Sequence, residues 1–345
     1  MRVSTQNFHY IWAVLATAYV LLLSRIFPPE VNPDWLGYAQ IYIDGAWLAE
    51  SNRDLLFRAL ITVYKLASPF GSYESFRVFL LFAFAALTFA ITALAVKKRS
   101  GLGYFILMAI CSVATIRFSI QIREGLSIAL ILLFIVTQSE KPSVRIHSSG
   151  WLLLTASAAI HIVGIVFLIS FFLSTIFGKL NLNSRQASWS MIWFFSVLTV
   201  AIFFWDTSHD ASILQIDSSF TQNRYAVESG LDFASTIYWS LKYCGAIAAF
   251  YTARRLSLKN RNAAILRGVR LLSGPIAFLI AFCIITFKFN LISPIYTVLL
   301  VRSFDAIISV SIFYCVAHTK SRFLAFALCS WLILDVTYSA SMVIN

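Results

Sequence analysis

Ten apolar runs follow one another along the chain, at about 9–27, 75–96, 102–117, 119–137, 149–177, 189–205, 235–253, 271–289, 293–317 and 323–343. An α-helix needs about 20 apolar residues to cross a hydrocarbon core roughly 30 Å thick, and most of these runs supply them. The composition agrees. Of 345 residues, 59% are hydrophobic and 12% charged, with a mean hydropathy of +0.80. No water-soluble fold hides that much apolar surface. The expected fold is therefore all-α, a polytopic integral membrane protein of about ten to eleven transmembrane segments in a single domain over 1–345. The run from Tyr10 to Phe27 is long enough to remain as the first span.

The formal charge of +12 would suggest nucleic acid in a soluble protein. Here the excess lies in short loops: Lys97-Lys98-Arg99, Lys141 with Arg145, Lys179 with Arg185, Arg254-Arg255 through Arg270, and Lys320 with Arg322. The positive-inside rule reads these as cytoplasmic, so the charge sets topology and no nucleic-acid partner is expected. Two of the clusters flank one run, Gly150 to Phe177. As a single helix it would be roughly 42 Å long, and it would put its two basic ends on opposite sides. Two half-length helices that turn near His161, a broken or re-entrant hairpin, keep both ends inside. Such breaks are tolerated where they are buried in protein or line a cavity.

This topology turns two long polar segments outward, about 28–75 and 206–234. In the first, Leu56, Ala59, Leu60, Val63, Leu66 and Phe70 form one stripe, and Asp54, Arg58 and Lys65 another. That pattern predicts an amphipathic interfacial helix over Arg53–Phe70. The five cysteines all lie in apolar segments without metal-ligand spacing, and read as small packing residues. No phosphate-binding glycine loop and no zinc motif occurs. With 15 acids in the whole chain and no Asp-x-Asp pair in the outer loops, a metal-dependent nucleotide-sugar enzyme is not expected.

What remains is a set of polar residues near the outer half of the membrane. Arg123 lies inside an otherwise apolar stretch from about Leu102 to Val136. A charge at membrane depth costs about 2.5–3.5 kcal/mol on insertion scales, so it has either a partner or a task. Arg123 either snorkels or pairs with Glu124 and sets orientation, or it lines a wet cavity and holds an anion. Arg117, Gln121 and Arg123 share one outer turn, where the positive-inside rule disfavours arginine. Asp34, Tyr38 and Tyr42 are spaced to share a helix face, with Trp35 beside them. Asp34 is either a helix cap after Pro33 or a functional acid, and the tyrosines are either interfacial anchors or ligands. His161 is either a packed core histidine or a catalytic one at the break. Arg302 and Asp305 lie three apart on one helix face, which makes a local ion pair the alternative to a function. Arg224 and Tyr225 lie in the second outer loop.

The order of these pieces resembles the EpsG-like branch of the bacterial polysaccharide polymerases, the Wzy-type enzymes. The matching pieces are Asp34/Tyr38/Tyr42, Arg53–Phe57, Gln121–Leu126, Ala158–His161 and Arg302–Phe304, spread over most of the chain. At Glu124 the chain departs from the uncharged polar residue that the family often carries. The resemblance implies a glycosyltransferase of the inner (cytoplasmic) membrane of a bacterium. It would join oligosaccharide repeat units carried on undecaprenyl pyrophosphate, at the outer face, using no cofactor and no metal. The lipid bilayer and the lipid-linked oligosaccharide are the implied partners, with a chain-length regulator as a further one.

That chemistry suits the residues. Arginine meets phosphate oxygens bidentately and stays charged, which assigns Arg123, Arg302, Arg117 and Arg224 to the pyrophosphate. Asp34 and His161 are the candidates for acid–base work, Asp34 at the acceptor hydroxyl and His161 at the phosphate side. Tyr38, Tyr42, Trp35, Gln121 and Tyr225 are the candidates for sugar contacts. Two other classes compete. A membrane acyltransferase also places Arg and His on outer-leaflet spans, but its Arg-x-x-x-Arg arrangement near the first span is missing. A transporter or flippase for lipid-linked glycans would carry basic residues through both leaflets, whereas here the intramembrane ones cluster outward.

Overall fold

The computed structural model describes residues 8–26, 35–43, 55–96, 122–139, 148–179 and 321–331, with isolated positions at 248, 252, 306, 310, 312, 313, 315 and 316. Among the described residues every regular element is an α-helix and none is a strand. The helices are α1 (Phe8–Ile26), α2 (Trp35–Ile43), α3 (Leu55–Ala67), α4 (Tyr73–Val96), α5 (Ile122–Ser139), α6 (Ser148–Ile160), α7 (Ile162–Lys179) and a last apolar helix, α8 (Arg322–Trp331). By internal packing the chain falls into two compact units, Met1–Leu168 with Ile312–Asn345, and Ile169–Ser311. The packing described below lies in the first.

Of the described helices, α4 is long and apolar enough to cross a membrane. Its 24 residues span about 36 Å at 1.5 Å per residue. It starts where it does because Ser72 caps it. The Ser72 Oγ accepts the backbone N–H of Ser75 at 3.2 Å, satisfying a donor that no helical carbonyl can reach. The first-turn pair Glu74–Arg77, at 3.9 Å and open to solvent, adds little to that. α3 stops at Ala67 because Pro69 disfavours a helical residue before it. The tight turn that follows closes with Gly71 N–H donating to the Ser68 carbonyl at 2.9 Å. A Cβ on Gly71 would press on Ser68 and on the Tyr64 ring, which is why glycine stands there. Ser321 caps α8 in the same way that Ser72 caps α4, accepting Leu324 N–H at 3.2 Å.

α1 lies against α4, α4 against α5, α5 against α6, α3 against α6, and α2 against α4. Tyr10, near the start of α1, stacks on Phe89, near the end of α4, so these two helices run antiparallel. α5 and α6 are separated by only eight residues, 140–147, and pack as antiparallel neighbours. Between them two buried serines bond to each other. The hydroxyls of Ser127 and Ser157 lie 2.8 Å apart, and each is also within hydrogen-bond reach of the other's carbonyl, at 3.2 and 3.1 Å, so two protons are shared among these acceptors. Small side chains permit this approach, and the reciprocal bonds fix the register of the pair.

The run at 149–177 is broken at His161, as its length and flanking charges predict. α6, at 13 residues, is about 20 Å long and too short to cross a hydrocarbon core. His161 N–H still bonds the Ser157 carbonyl at 3.1 Å, and Gly164 N–H closes a turn on the His161 carbonyl at 2.9 Å. The chain then bends so sharply that Gly164 comes against the backbone of Ser157 and Ala158.

The amphipathic helix of the first polar segment is present as α3, but its faces are arranged differently from the water-soluble pattern. Phe57 and Ile61 are buried, and so is Arg58. Val63, Leu66 and Phe70 on the apolar stripe are 62%, 77% and 102% exposed. The far end of the apolar stripe is thus exposed, while Leu56, Ala59 and Leu60 are half-buried and Arg58 is buried.

Candidate functional site

Arg123 is the second residue of α5. A cation at a helix N-terminus opposes the helix dipole by about 0.3–1 kcal/mol, so its position has to be held by something else. Tyr38 of α2 holds it. The guanidinium Nε donates to the Tyr38 hydroxyl at 3.2 Å, and the guanidinium carbon lies 4.8 Å from the centre of the Tyr38 ring. Phe57 of α3 presents a second ring at 5.9 Å, and the two rings lie 5.7 Å apart, tilted. Cation–π contacts of this kind contribute about 0.5–2 kcal/mol each, more where water is excluded. Helices that are remote in sequence thus converge on one half-buried guanidinium, with rings on one side of it.

A second aromatic group builds the support. Tyr42, one helical turn on from Tyr38, donates from its hydroxyl to the Gly71 carbonyl at 2.6 Å. Its ring lies 5.5 Å from Phe76 and 5.9 Å from Tyr73, with Lys65 Nζ 4.6 Å from its centre. Phe57 and Phe76 also touch, at 6.0 Å. Tyr42 therefore clips α2 to the turn between α3 and α4. Burial, and then the neighbouring Tyr64 hydroxyl, push its phenol above the usual tyrosine range, so it remains a donor.

His161 stands at the break between α6 and α7. Its Nδ1 accepts the backbone N–H of Val163 at 3.4 Å, so His161 caps α7 with its side chain as a serine or asparagine would. Because Nδ1 accepts, the ring proton resides on Nε2. The serine contact sets its height. His161 lies four residues beyond Ser157 and Glu124 three before Ser127, and on antiparallel helices both steps lead towards the same end, by roughly 5 Å. His161, Glu124 and Arg123 therefore occupy one level of the bundle, at the end where α4 and α5 begin.

Of the residues singled out in the sequence, Arg123 and Tyr38 are in direct contact, His161 lies at their level, and Tyr42 braces the helix that carries Tyr38. Trp35 opens α2, with its side chain outside the described residues. Asp34, Gln121, Arg117, Arg224, Tyr225 and Arg302 also lie outside the described residues. Two residues matter more here than their sequence signal indicates. Glu124 is fully buried, and Arg58 is only 4% exposed. The signal for Arg58 was a charge within an interfacial helix. By helical spacing it belongs to the polar stripe, of which Arg58 is buried and Lys65 half-buried.

No family model, curated protein or solved structure matches the chain.

Proposed function

We propose that the protein is a polysaccharide polymerase, a metal-independent glycosyltransferase that joins repeat units carried on undecaprenyl pyrophosphate at the outer face of a bacterial inner membrane. In this reading the chain crosses the membrane about ten to eleven times. α6 and α7 are the arms of a hairpin whose basic ends both lie in the cytoplasm. The observation that carries the reading is the fixed guanidinium of Arg123, braced by the Tyr38 hydroxyl and backed by the rings of Tyr38 and Phe57. A cation at membrane depth is costly, whereas departure of a lipid pyrophosphate builds charge on oxygens that a pre-placed guanidinium stabilises.

The roles then divide as follows. Arg123, with Arg302, Arg117 and Arg224, holds the pyrophosphate of the donor. His161 donates from Nε2 on the phosphate side, since its Nδ1 is occupied by the cap. Asp34 orients or deprotonates the acceptor hydroxyl. Trp35, Gln121 and Tyr225, with the Tyr38–Tyr42 face of α2, contact sugars. The test is the polymer ladder of a deletion strain complemented with Arg123→Lys and Arg302→Lys, with protein levels checked. Lysine keeps the charge and loses the planar fork, so both variants are expected to fail nearly as badly as alanine. Full-length polymer from both would remove the clamp.

A further inference from the structure

Two turns of α3 touch a single ring of α4. Phe57 lies 6.0 Å from Phe76, and Tyr64, about two helical turns further along α3, lies 5.3 Å from the same ring. Helices that run side by side match turn to turn, so α3 crosses α4 at an open angle. Tyr64 also meets Phe79, at 5.5 Å, which places the crossing at the level of Phe76–Phe79. That level is an edge of the hydrocarbon. Arg77 is the last charge of α4, and from Val78 to Val96 the helix carries none before Lys97. This stretch spans about 28 Å at 1.5 Å per residue, close to the roughly 30 Å of a hydrocarbon core. The Glu74–Arg77 pair then stands among the headgroups. At the crossing, Val63 and Leu66 of α3 and Phe70 in the turn after it are exposed, and so are Val78 and Phe79 of α4, with Tyr64 between the two groups. Lys65 turns back onto the Tyr42 ring, at 4.6 Å, which keeps its charge off the patch.

We propose that the end of α3 and the turn after it form a membrane anchor, in which Val63, Leu66 and Phe70 insert among acyl chains just below the headgroups, at the edge of the leaflet marked by Arg77. The occupant is lipid because the patch continues the exposed apolar flank of a helix long enough to cross the membrane, and because tyrosines gather at the crossing, as they do at a membrane–water boundary. The anchor is narrower than the amphipathic pattern over Arg53–Phe70, whose first half packs into the protein through Phe57 and Ile61. It goes beyond the polymerase reading and does not depend on it. Its consequence for the candidate site is height. Phe57, on the anchored helix, backs Arg123 at 5.9 Å, so the guanidinium is held near the boundary where lipid phosphates lie.

The experiment uses the full chain in nanodiscs of phosphatidylcholine and phosphatidylglycerol. Leu66→Cys, Phe70→Cys and Glu74→Cys, each in a background lacking the native five cysteines, carry an environment-sensitive fluorophore. At 66 and 70 the emission is expected to shift to the blue, and to be quenched more by lipids with a nitroxide just below the headgroup than by lipids with one at the chain end. At 74 it is expected to stay as in water. Water-like emission at 66 and 70 overturns the anchor. A blue shift without quenching by either lipid overturns it too, since a protein surface such as a second copy then covers the patch. Stronger quenching from the chain end, or a label at 74 that behaves like the one at 70, overturns the depth assigned from Arg77. A photoreactive benzoyl-phenylalanine in place of Phe70, in the chain with its native cysteines, guards against a cysteine-free background that does not fold. Irradiation is expected to give a phospholipid adduct by mass spectrometry. An adduct with a second copy, or none, rejects the anchor. Neither readout involves polymer, so loss of the polymerase reading leaves the anchor standing.

Discussion

Gly164→Ala tests the bend at His161 directly. On a helix exposed to water, replacing glycine by alanine usually stabilises, by up to about 1 kcal/mol, because glycine has more backbone freedom to lose. Here the added Cβ would lie well inside 3.0 Å of the Ser157 carbonyl and the Ala158 nitrogen, where ordinary contact begins at 3.4 Å. Those are backbone atoms and cannot rotate aside, so α6 and α7 must move apart at the bend. Overpacking of this kind costs about 1–3 kcal/mol. Ser157 is also the residue whose hydroxyl and carbonyl bond Ser127, and any shift of its backbone strains those bonds, each worth about 1 kcal/mol. The expected loss is about 2–4 kcal/mol. The assay is unfolding of the detergent-purified protein by heat or by SDS titration, read by tryptophan fluorescence. Ser157→Ala should not rescue the double variant, because the clash is with main chain. Wild-type stability in Gly164→Ala, or an increase, would mean that the two helices do not approach at Ser157.

Tyr38→Phe removes the hydrogen bond to Arg123 but keeps the ring, and should weaken pyrophosphate binding by about 1 kcal/mol, roughly fivefold, in a titration where Tyr38→Leu loses more. Single cysteines at Ser143 and Ser184, in a background lacking the native five, should resist an impermeant thiol reagent added outside spheroplasts; labelling at Ser184 would break the cytoplasmic hairpin. Asp34→Asn should stop chain growth by purified enzyme while donor binding stays near wild type, because basicity is lost and shape is kept; polymerisation at the wild-type rate would make Asp34 a helix cap. His161→Asn can still accept the Val163 N–H and should unfold like wild type while losing turnover, whereas equal turnover would leave His161 with the cap alone.

The break in the run at 149–177 was legible because two independent quantities demanded it. The run was too long for one span, and the positive-inside rule disfavours basic flanks on opposite sides. The contact that the break creates was not legible. Residues 157 and 164 in a continuous helix stand about 10 Å apart, so nothing in the spacing announces that they touch. Arg123 and Tyr38 were each visible as polar residues out of place, but their pairing was not, because 85 residues separate them. Asp34, Arg302 and the second outer loop lie outside the described residues, so their sequence signal stands as it was read.

α3 marks the physical limit of pattern reading in a chain of this kind. Helical periodicity separates two stripes, and in water the apolar one faces the core because burial there is driven by the loss of hydration. In lipid that driving force between protein and surroundings is missing, since acyl chains are as apolar as leucine. The pattern then fixes the axis along which the two faces differ but not which of them turns inward. Val63 and Leu66 point out, while Arg58 points in, beside Phe57 and Ile61. A charge turned inward is costly unless something polar waits for it. In an interfacial helix of a membrane protein, a buried charge opposite the apolar stripe is therefore where a polar partner should be sought first.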